Sequence, residues 1–425
     1  MTRLRSLRRP RASAAKPVWG AVFQCLAALA ALVARPFRAA LAAPVARPFR
    51  AALARLCMAA VLLGCGSVSV LLAQDPALVT SDGWRLAEPG YTLQFPRDHG
   101  SHPEYRIEWW YYTGNLDAAN GRRFGYQVTF FRIGVDPAPT NPSRWAVRDL
   151  HMAHLAVTDV SAEQHLTAER FDRGGVGWAG ARQGTLDVWN GDWRADVDGE
   201  THRLQAVDGS FGVDLRLEPG KSPTAHGDAG LSRKGAEPGN ASHYYSLTRM
   251  PTTGQLRLGD DRLDVTGTSW MDHEFGTTFL EPGQVGWDWF SLQLDDGTDL
   301  MIYKFRRGDG QPDAFSSGTW VDPDGTTDGL DHDQVVLVPG RRWTSPSSDA
   351  SYPVDWQIQV PSRQATLTVD ALVDAQELDT ANSTGVTYWE GAVAVSGRIG
   401  EREVSGRGYL EMTGYSGRPM SEVFR

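Results

Sequence analysis

Cysteine is almost absent from this 425-residue sequence. Its three cysteines, Cys25, Cys57 and Cys65, all lie near the start of the chain. The long part that follows therefore contains no disulfide, no thiol nucleophile and no cysteine-ligated metal. Its stability must come from core burial and hydrogen bonding, which roughly 350 residues can supply.

Acidic residues are missing from the first 73 residues, which carry 11 Lys and Arg. The remainder carries 31 basic and 51 acidic residues, a net charge of −20. Because an acidic surface repels polyanions, we predict that the protein does not bind nucleic acid.

The basic start has the layout of an export signal, which we place at residues 1–74. Arg55 precedes a short apolar run that ends in small residues. The stretch VLLGC resembles a lipoprotein cleavage box with Cys65 as the lipidated residue. Cleavage near Ala73 and an uncleaved membrane anchor are the alternatives. We therefore predict an exported protein, periplasmic or associated with the cell envelope, with membrane attachment through its leader or a lipid anchor.

Helical periodicity is scarce, and no amphipathic stretch exceeds three turns. Period-two alternation dominates instead, as in YRIEWWYYTGNL and DWFSLQLDDGTDLMIYKFRR. Asn-Gly and Asp-Gly pairs mark hairpin turns between such segments. The pattern predicts an all-β fold of barrels or sandwiches. A Gly- and Pro-rich excursion at residues 219–241 suggests two halves, which we place at 85–265 and 266–425.

Several signatures of catalysis are also missing. The sequence has no GxSxG nucleophile elbow, no phosphate loop and no dinucleotide fingerprint, and we predict no cofactor. In HMAH, the spacing of His151 and His154 places the two imidazoles on opposite faces of a strand, which argues against a shared metal. We predict no metal site.

The chain does place acidic groups and an imidazole among large apolar residues. In WMDHEFG, residues 270–276, a strand puts Asp272 and Glu274 on one face and His273 on the other. Desolvation in an apolar cavity would raise a carboxyl pKa, so Asp272 and His273 are candidate proton donors. The alternative is that both side chains form structural hydrogen bonds where two domains meet.

A second acidic candidate lies in GWDWFSLQL, residues 286–294. Asp288 shares a strand face with Phe290 and Leu292, while Trp287 and Trp289 share the other. A buried carboxylate needs a partner. Asp288 is therefore a catalytic acid, the partner of an arginine or a tryptophan N–H, or a rim residue that faces solvent.

Aromatic strands could also supply a ligand-binding surface, because ring faces stabilise a carbocation. The candidates for ligand contact are Glu108, Trp110, Tyr112, Trp287 and Trp289. Core packing is the alternative for the rings. For Glu108 the alternative is a salt bridge to an arginine such as Arg132 or Arg249.

Long aromatic-rich blocks resemble one known family, the AttH-type or carotenoid 1,2-hydratase-like proteins, which are also described as secreted hydrolases. The blocks include HPEYRIEWWYYTGNL, FDRGGVGWAGA, VTGTSWMDHEFG, VTYWEGAVAV and GRGYLEMTGY. The resemblance implies two lipocalin-like β-barrel domains side by side around an apolar ligand site. It also implies either hydration of a polyene double bond or an accessory role beside an ABC transporter.

Two functions of different classes follow. One is a hydro-lyase that protonates a C=C bond of an isoprenoid- or lipid-like ligand, with Asp272, His273 or Asp288 as the acid. The other is a periplasmic lipid carrier or transporter accessory, which needs the same apolar cavity but no proton donor.

Overall fold

The computed structural model describes residues 78–278 and 280–417, and within them the chain is built from antiparallel β-strands. Two short 3-10 helices, Arg97–His99 and Pro361–Arg363, are the helical elements of these ranges. No helix in the described part of the chain is long and apolar enough to cross a membrane. The predicted leader and its lipidation site, Cys65, lie outside the described residues.

Thirteen strands form the first sheet, which nearly closes into a barrel, here called the first barrel. They are β1 (Ile107–Ala118), β2 (Arg123–Gly134), β3 (Asp149–Asp159), β4 (Gln164–Arg173), β5 (Ala179–Ala181), β6 (Asp187–Asn190), β7 (Trp193–Asp198), β8 (Thr201–Asp208), β9 (Phe211–Leu217), β10 (Thr224–Ala225), β11 (Leu231–Arg233), β12 (Ala241–Leu258) and β13 (Asp261–Gly276).

The strand order of the first barrel is β4-β3-β2-β1-β13-β12-β9-β8-β7-β6-β5, with β10 and β11 also paired to β12. Alternate side chains point inward and form one apolar core that includes Trp110, Tyr112, Tyr126 and Met271. Trp110, Tyr112 and Met271 therefore face the inside of the barrel, and their sequence neighbours face outward.

Ten strands form the second sheet, in the order β17-β16-β15-β14-β25-β24-β22-β21-β18, with β23 paired to β24. The strands from here to the end of the described chain are β14 (Gln284–Leu294), β15 (Asp299–Arg307), β16 (Ser317–Val321), β17 (Thr327–Asp331), β18 (Val336–Pro339), β19 (Arg342–Thr344), β20 (Ser351–Pro353), β21 (Asp355–Val360), β22 (Ala365–Ala371), β23 (Glu377–Asp379), β24 (Thr387–Ile399) and β25 (Arg402–Met412). Strands β19 and β20 form a separate hairpin. The second sheet has its own core, which includes Phe290, Trp356 and Leu410.

The all-β prediction with two lipocalin-like units is confirmed, but the sheet pairing shifts their division. The predicted boundary at residues 265 and 266 falls inside β13. This strand pairs with β1 from Ile107↔Gly276 to Ala118↔Val265, so it belongs wholly to the first barrel. The second sheet begins with β14 at Gln284. The motif WMDHEFG is thus the last strand of the first unit rather than the first strand of the second.

The two units meet through a third apolar cluster, contributed by outward-facing residues of both. It includes Tyr111 and Tyr244 from the first barrel and Trp289 and Phe305 from the second sheet. The contact is close at Gly125, where an added Cβ would lie only 2.5 Å from the Cβ of Ala392. An apolar cavity lies at this shared face.

Candidate functional site

A cavity with a volume of about 110 Å³, open to solvent at a mouth, lies between the first barrel and the second sheet. Most of the wall is apolar or aromatic. The large apolar and aromatic side chains that line it are Ile107, Trp109, Tyr111, Phe131, Tyr244, Leu280, Trp287, Trp289, Tyr303, Phe305, Val386 and Tyr388.

Four carboxyls and one ammonium face this apolar space, as does the imidazole of His154. Asp272 and Glu274 come from β13, Glu390 from β24 and Glu411 from β25, and Lys234 follows β11. All are buried except Glu411, which is half-buried in the cavity wall. Four carboxyls beside one ammonium in a single apolar cavity cannot all be charged without a large desolvation cost, so some of them must hold protons.

Asp272 is held by three donors. The Tyr244 hydroxyl donates to Oδ2 at 2.6 Å and the Trp270 indole N–H donates to Oδ1 at 2.6 Å, while the Ser246 hydroxyl also donates to Oδ1. Burial nevertheless raises the pKa of Asp272 to about 7, although the three donors act in the opposite direction. Asp272 can therefore gain or lose a proton near neutral pH.

Glu390 and Glu411 form a carboxyl pair. They lie directly opposite each other across the β24–β25 hairpin, so their side chains are neighbours on one face. Burial raises the pKa of Glu411 to about 8, and burial together with the nearby Glu411 raises that of Glu390 well above its usual range. Glu390 Oε1 has no hydrogen-bond partner within the described chain. The pair thus keeps at least one proton at neutral pH.

The ammonium of Lys234 neutralises the charge of the fourth cavity carboxylate, Glu274. Its Nζ lies 2.8 Å from Glu274 Oε1, and the Ser242 hydroxyl also donates to that oxygen. Nζ further donates to Ser232 Oγ at 3.1 Å and lies 4.5 Å from the centre of the Tyr303 ring. The result is a buried ion pair that leaves Asp272, Glu390 and Glu411 as the groups free to exchange protons.

Some of the predicted site residues line this cavity. The others lie inside the first barrel or on the inner face of the second sheet. Asp272, Trp287 and Trp289 line the cavity. Trp110 and Tyr112 point instead into the core of the first barrel, because they alternate along β1 with the cavity-lining Trp109 and Tyr111. The structure thus places these two predicted ligand contacts on the other face of the strand.

Glu108 and His273 also lie inside the first barrel, in a buried polar network. Arg132 Nε donates to Glu108 Oε2 at 2.9 Å. Glu108 thus forms the salt bridge to an arginine that the sequence offered as the alternative to ligand contact. His273 Nε2 lies 3.1 Å from Glu108 Oε1, and its Nδ1 lies 2.9 Å from the carbonyl oxygen of Asp98. Burial alone would raise the pKa of Glu108, but Arg132 and the imidazoles bring it well below its usual range.

The same network brings three metal-capable side chains together, His102, Glu108 and His273. Their donor atoms already have partners within it. His102 Nδ1 lies 2.9 Å from Glu108 Oε1, and His102 Nε2 lies 3.3 Å from Asp98 Oδ1. The guanidinium of Arg132 beside Glu108 would repel a cation. The geometry is that of a hydrogen-bonded cluster rather than of a metal site.

Asp288 faces away from the cavity, towards the interior of the second sheet. Its Oδ1 accepts a hydrogen bond from the Tyr415 hydroxyl at 2.9 Å and lies 3.2 Å from Arg306 Nε. Burial raises its pKa, and Arg306 acts in the opposite direction. Of the three environments predicted for Asp288, the structure shows the one in which an arginine pairs with the carboxylate.

Three ionisable cavity residues were not predicted from the sequence, Lys234, Glu390 and Glu411. A signal for the two glutamates was present: each is a lone acid in an aromatic strand block, TYWEGAVAV and GYLEMTGY. A two-residue turn at Gly400 and Glu401 would place Glu390 opposite Glu411. The structure has this register, with Ile399 paired to Arg402 and Glu390 paired to Glu411. Lys234 follows a strand of three residues and carries no such pattern.

Comparison with known proteins identifies the family of this chain. A crystal structure assigned as AttH, from Nitrosomonas europaea, is 34% identical, covers 77% of this chain and 98% of its own, and superposes with a TM-score of 0.70. The AttH-like family model matches residues 86–415. This chain belongs to the AttH-like family.

Other relatives of this AttH-like protein carry named activities. The dehydratase asqC of Emericella nidulans is 24% identical over 221 residues, 50% of this chain and 61% of that protein. The kievitone hydratase of Fusarium solani subsp. phaseoli is 22% identical over 249 residues, 55% of this chain and 66% of that protein. The matches thus span less than two thirds of each relative. The relatives of this family include hydratase- and dehydratase-type enzymes.

The fold of a hydratase structure is also similar. Kievitone hydratase from Nectria haematococca covers 78% of this chain and 96% of its own, with a TM-score of 0.57 and 16% identity. At that identity the match supports the shared architecture alone.

The raised carboxyl pKa values predict how stability depends on pH. Burial raises the pKa of Asp272 from 3.8 to about 7, so between these values the folded chain holds a proton that the unfolded chain has released. The contribution of Asp272 to the free energy of unfolding should therefore fall as pH rises from about 4 to about 7 and then level off, while the Glu390–Glu411 pair extends the fall of the total above pH 7. In Asp272→Asn this fall should be shallower, as measured by urea denaturation at several pH values.

The control for this measurement is Asp264→Asn, because Asp264 is an exposed aspartate on the same strand. Its pH dependence should match that of the unmodified protein. Parallel curves for Asp272→Asn and the unmodified protein would contradict the raised pKa of Asp272.

Proposed function

We propose that this AttH-like protein is a hydro-lyase that adds water to, or removes it from, a carbon–carbon double bond of a large apolar molecule. The observation that carries the proposal is the Glu390–Glu411 pair, whose raised pKa values keep a proton inside an apolar, aromatic-lined cavity. A general acid is most effective when its pKa lies near the operating pH. The hydratase- and dehydratase-type relatives support the same reaction class.

The reaction uses the protonated member of the pair as general acid. Its proton forms a C–H bond with one alkene carbon, using the π electrons, and the other alkene carbon becomes electron-deficient. The aromatic rings of Trp109, Trp287 and Trp289 line the same space and stabilise that developing positive charge. Water then attacks the cationic carbon, and the proton that it loses passes to an ionised carboxylate. Dehydration is the reverse sequence.

Asp272 is the second proton-exchanging group in this proposal. Its Oδ2 accepts from Tyr244, whose oxygen also accepts from the Trp289 indole N–H at 3.1 Å. Asp272 can therefore take a proton from the attacking water through Tyr244, or directly when ionised. His273 and Asp288, the other predicted acids, contact neither the cavity nor its carboxyl pair and have no part in this mechanism.

The substrate is inferred from the wall of the cavity. The space is mostly apolar and open at a mouth, which suits part of an isoprenoid- or lipid-like chain that enters through that mouth. The polar groups cluster on β13, β24 and β25, so the reacting double bond would lie near them and the rest of the chain along the aromatic wall.

The test is incubation of the purified full-length protein with an apolar lipid extract of its host in ¹⁸O-labelled water, followed by mass spectrometry. We expect a lipid that gains one labelled water, or one that loses water. Copurified lipid that stays unchanged in mass would instead support a lipid carrier or a transporter accessory, because the same apolar cavity serves that role without chemistry.

Attachment to the cell envelope is part of the proposal as well. An export signal over residues 1–74 with lipidation at Cys65 would bring the cavity close to its apolar substrate. Metabolic labelling with a radioactive fatty acid tests the lipid anchor, and the Cys65→Ser variant should lose the label.

A further inference from the structure

A row of hydrogen-bonded side chains begins at Tyr388, beside the carboxyl pair, and continues to Glu169. The Tyr388 hydroxyl lies 2.7 Å from His154 Nδ1, and His154 Nε2 lies 2.9 Å from Ser383 Oγ. The Ser383 hydroxyl donates to Glu169 Oε2. His154 and Tyr388 are buried, whereas Ser383 and Glu169 are half-buried, so the row ends at the protein surface.

The inner end of the row reaches the cavity acids. Tyr388 and Glu390 are two residues apart on β24, so both point to the same face, and both line the cavity. The carboxyl of Glu390 is close enough to raise the pKa of the Tyr388 phenol, after burial, which is the larger cause. Glu390 in turn pairs with Glu411.

The row crosses the interface between the two units. His154 lies on β3 and Glu169 directly opposite it on β4, both in the first barrel. Tyr388 lies on β24 of the second sheet, and Ser383 lies in the segment just before that strand. The row therefore depends on the relative position of the two units, as the cavity does.

The orientation of the hydrogen bonds is consistent along the row. Burial lowers the pKa of His154 to about 4, so the imidazole is neutral at neutral pH, with one nitrogen donating and the other accepting. Glu169 accepts from Ser383, so Ser383 accepts from His154 Nε2, which leaves Nδ1 to accept from the Tyr388 hydroxyl. Every donor then points outward, from the cavity to Glu169.

We propose that Tyr388, His154 and Ser383 form a proton path between the buried Glu390–Glu411 pair and the surface carboxylate Glu169. This inference rests on the proposed function and deepens it. In one outward transfer, Glu390 gives its proton to the Tyr388 oxygen, and the Tyr388 proton moves to His154 Nδ1. The Nε2 proton then moves to Ser383, and the Ser383 proton to Glu169. One proton leaves the pair, and inward transfer reverses each step.

The reaction cycle gives this path a purpose. Hydration with separate acid and base leaves the acid ionised and the base protonated, so a proton must be redistributed before the next turnover. Glu390 is 1% exposed and cannot exchange quickly with bulk water when substrate fills the cavity. A path through the protein restores the pair without opening the apolar cavity.

The experiment measures proton exchange of the pair directly and needs no substrate, because the cavity is filled with decane, a saturated hydrocarbon that cannot be hydrated and that blocks exchange through the mouth. Infrared difference spectroscopy of the full-length protein at neutral pH should show the C=O band of a buried protonated carboxyl, which Glu390→Gln and Glu411→Gln assign. Rapid dilution into D₂O then gives the exchange rate from the shift of this band. In Tyr388→Phe and Ser383→Ala, exchange should slow about tenfold or more, because it then waits for local opening.

The control is His151→Phe, compared with His154→Phe. Both histidines are buried on β3, but His151 lies three residues earlier on the opposite face. His154→Phe should slow exchange and His151→Phe should not. A carboxyl band that exchanges at the unmodified rate in both Tyr388→Phe and Ser383→Ala overturns the path while leaving the acid pair intact. The absence of any such band in the unmodified protein overturns the acid pair, and the path with it.

Discussion

Replacement of Glu411 by glutamine is expected to lower the rate of water addition about 10²- to 10⁴-fold, the usual contribution of a general acid or base. Glutamine has the shape of a protonated glutamic acid but cannot release a proton. It should therefore preserve the apolar wall and the β24–β25 register while removing the chemistry. Glu390→Gln should have a similar effect, because the pair shares its proton. The measurement is the rate of labelled-water incorporation into the lipid product.

The matched control for this prediction is Glu403→Gln. Glu403 lies on the same strand as Glu411 but is exposed. Its replacement should leave the rate unchanged. If Glu390→Gln and Glu411→Gln both keep the rate of the unmodified protein, the acid is another group, and Asp272 is the remaining cavity carboxyl with a pKa near neutrality.

Local pattern was sufficient to predict the two faces of WMDHEFG. The alternation of a strand separates Asp272 and Glu274 from His273, and the structure confirms this separation, with the carboxylates in the cavity and His273 inside the first barrel. Which face meets the ligand was not decidable from the strand alone. It depends on β13 pairing with β1 and β12, which closes the first barrel around His273 and turns Asp272 towards the second sheet.

Strand pairing also decides which aromatic rings of β1 face the cavity. Trp109 and Trp110 are neighbours of the same residue type, and sequence offers no preference between them. The inward side of a barrel is set by its curvature, which brings Trp110 against the core and leaves Trp109 for the cavity. The cavity itself belongs to neither unit, so residues that line it are far apart in sequence and share no local motif.

Glu390 and Glu411 show that one part of the site was within reach of the sequence. Their pairing needs only the hairpin register around Gly400, which has φ of +59°, a conformation that glycine adopts without strain. The cavity position of Lys234 is different, because it depends on the path of an irregular segment between β11 and β12. No periodicity in the sequence specifies such a segment.

Replacement of Lys234 by methionine is expected to destabilise the fold by about 3–5 kcal/mol, since it leaves a buried carboxylate without its cation. Lys234 and Glu274 are each 4% exposed, and their charged atoms lie 2.8 Å apart. Methionine fills similar space but leaves Glu274 beside Asp272 with no compensation. The free energy of unfolding from urea denaturation gives the change.

The double variant Lys234→Met/Glu274→Gln tests whether the loss comes from the unpaired charge. Removal of both charges should recover most of the stability, because an ion pair in an apolar site contributes little beyond its own desolvation cost. Equal destabilisation of the single and double variants would contradict this and assign the effect to lost packing against Tyr303 and Tyr244. Recovery would mean that the ammonium serves to neutralise Glu274. The Lys234–Glu274 ion pair would then be a charge-neutral part of the cavity wall, separate from the proton-exchanging carboxyls Asp272, Glu390 and Glu411.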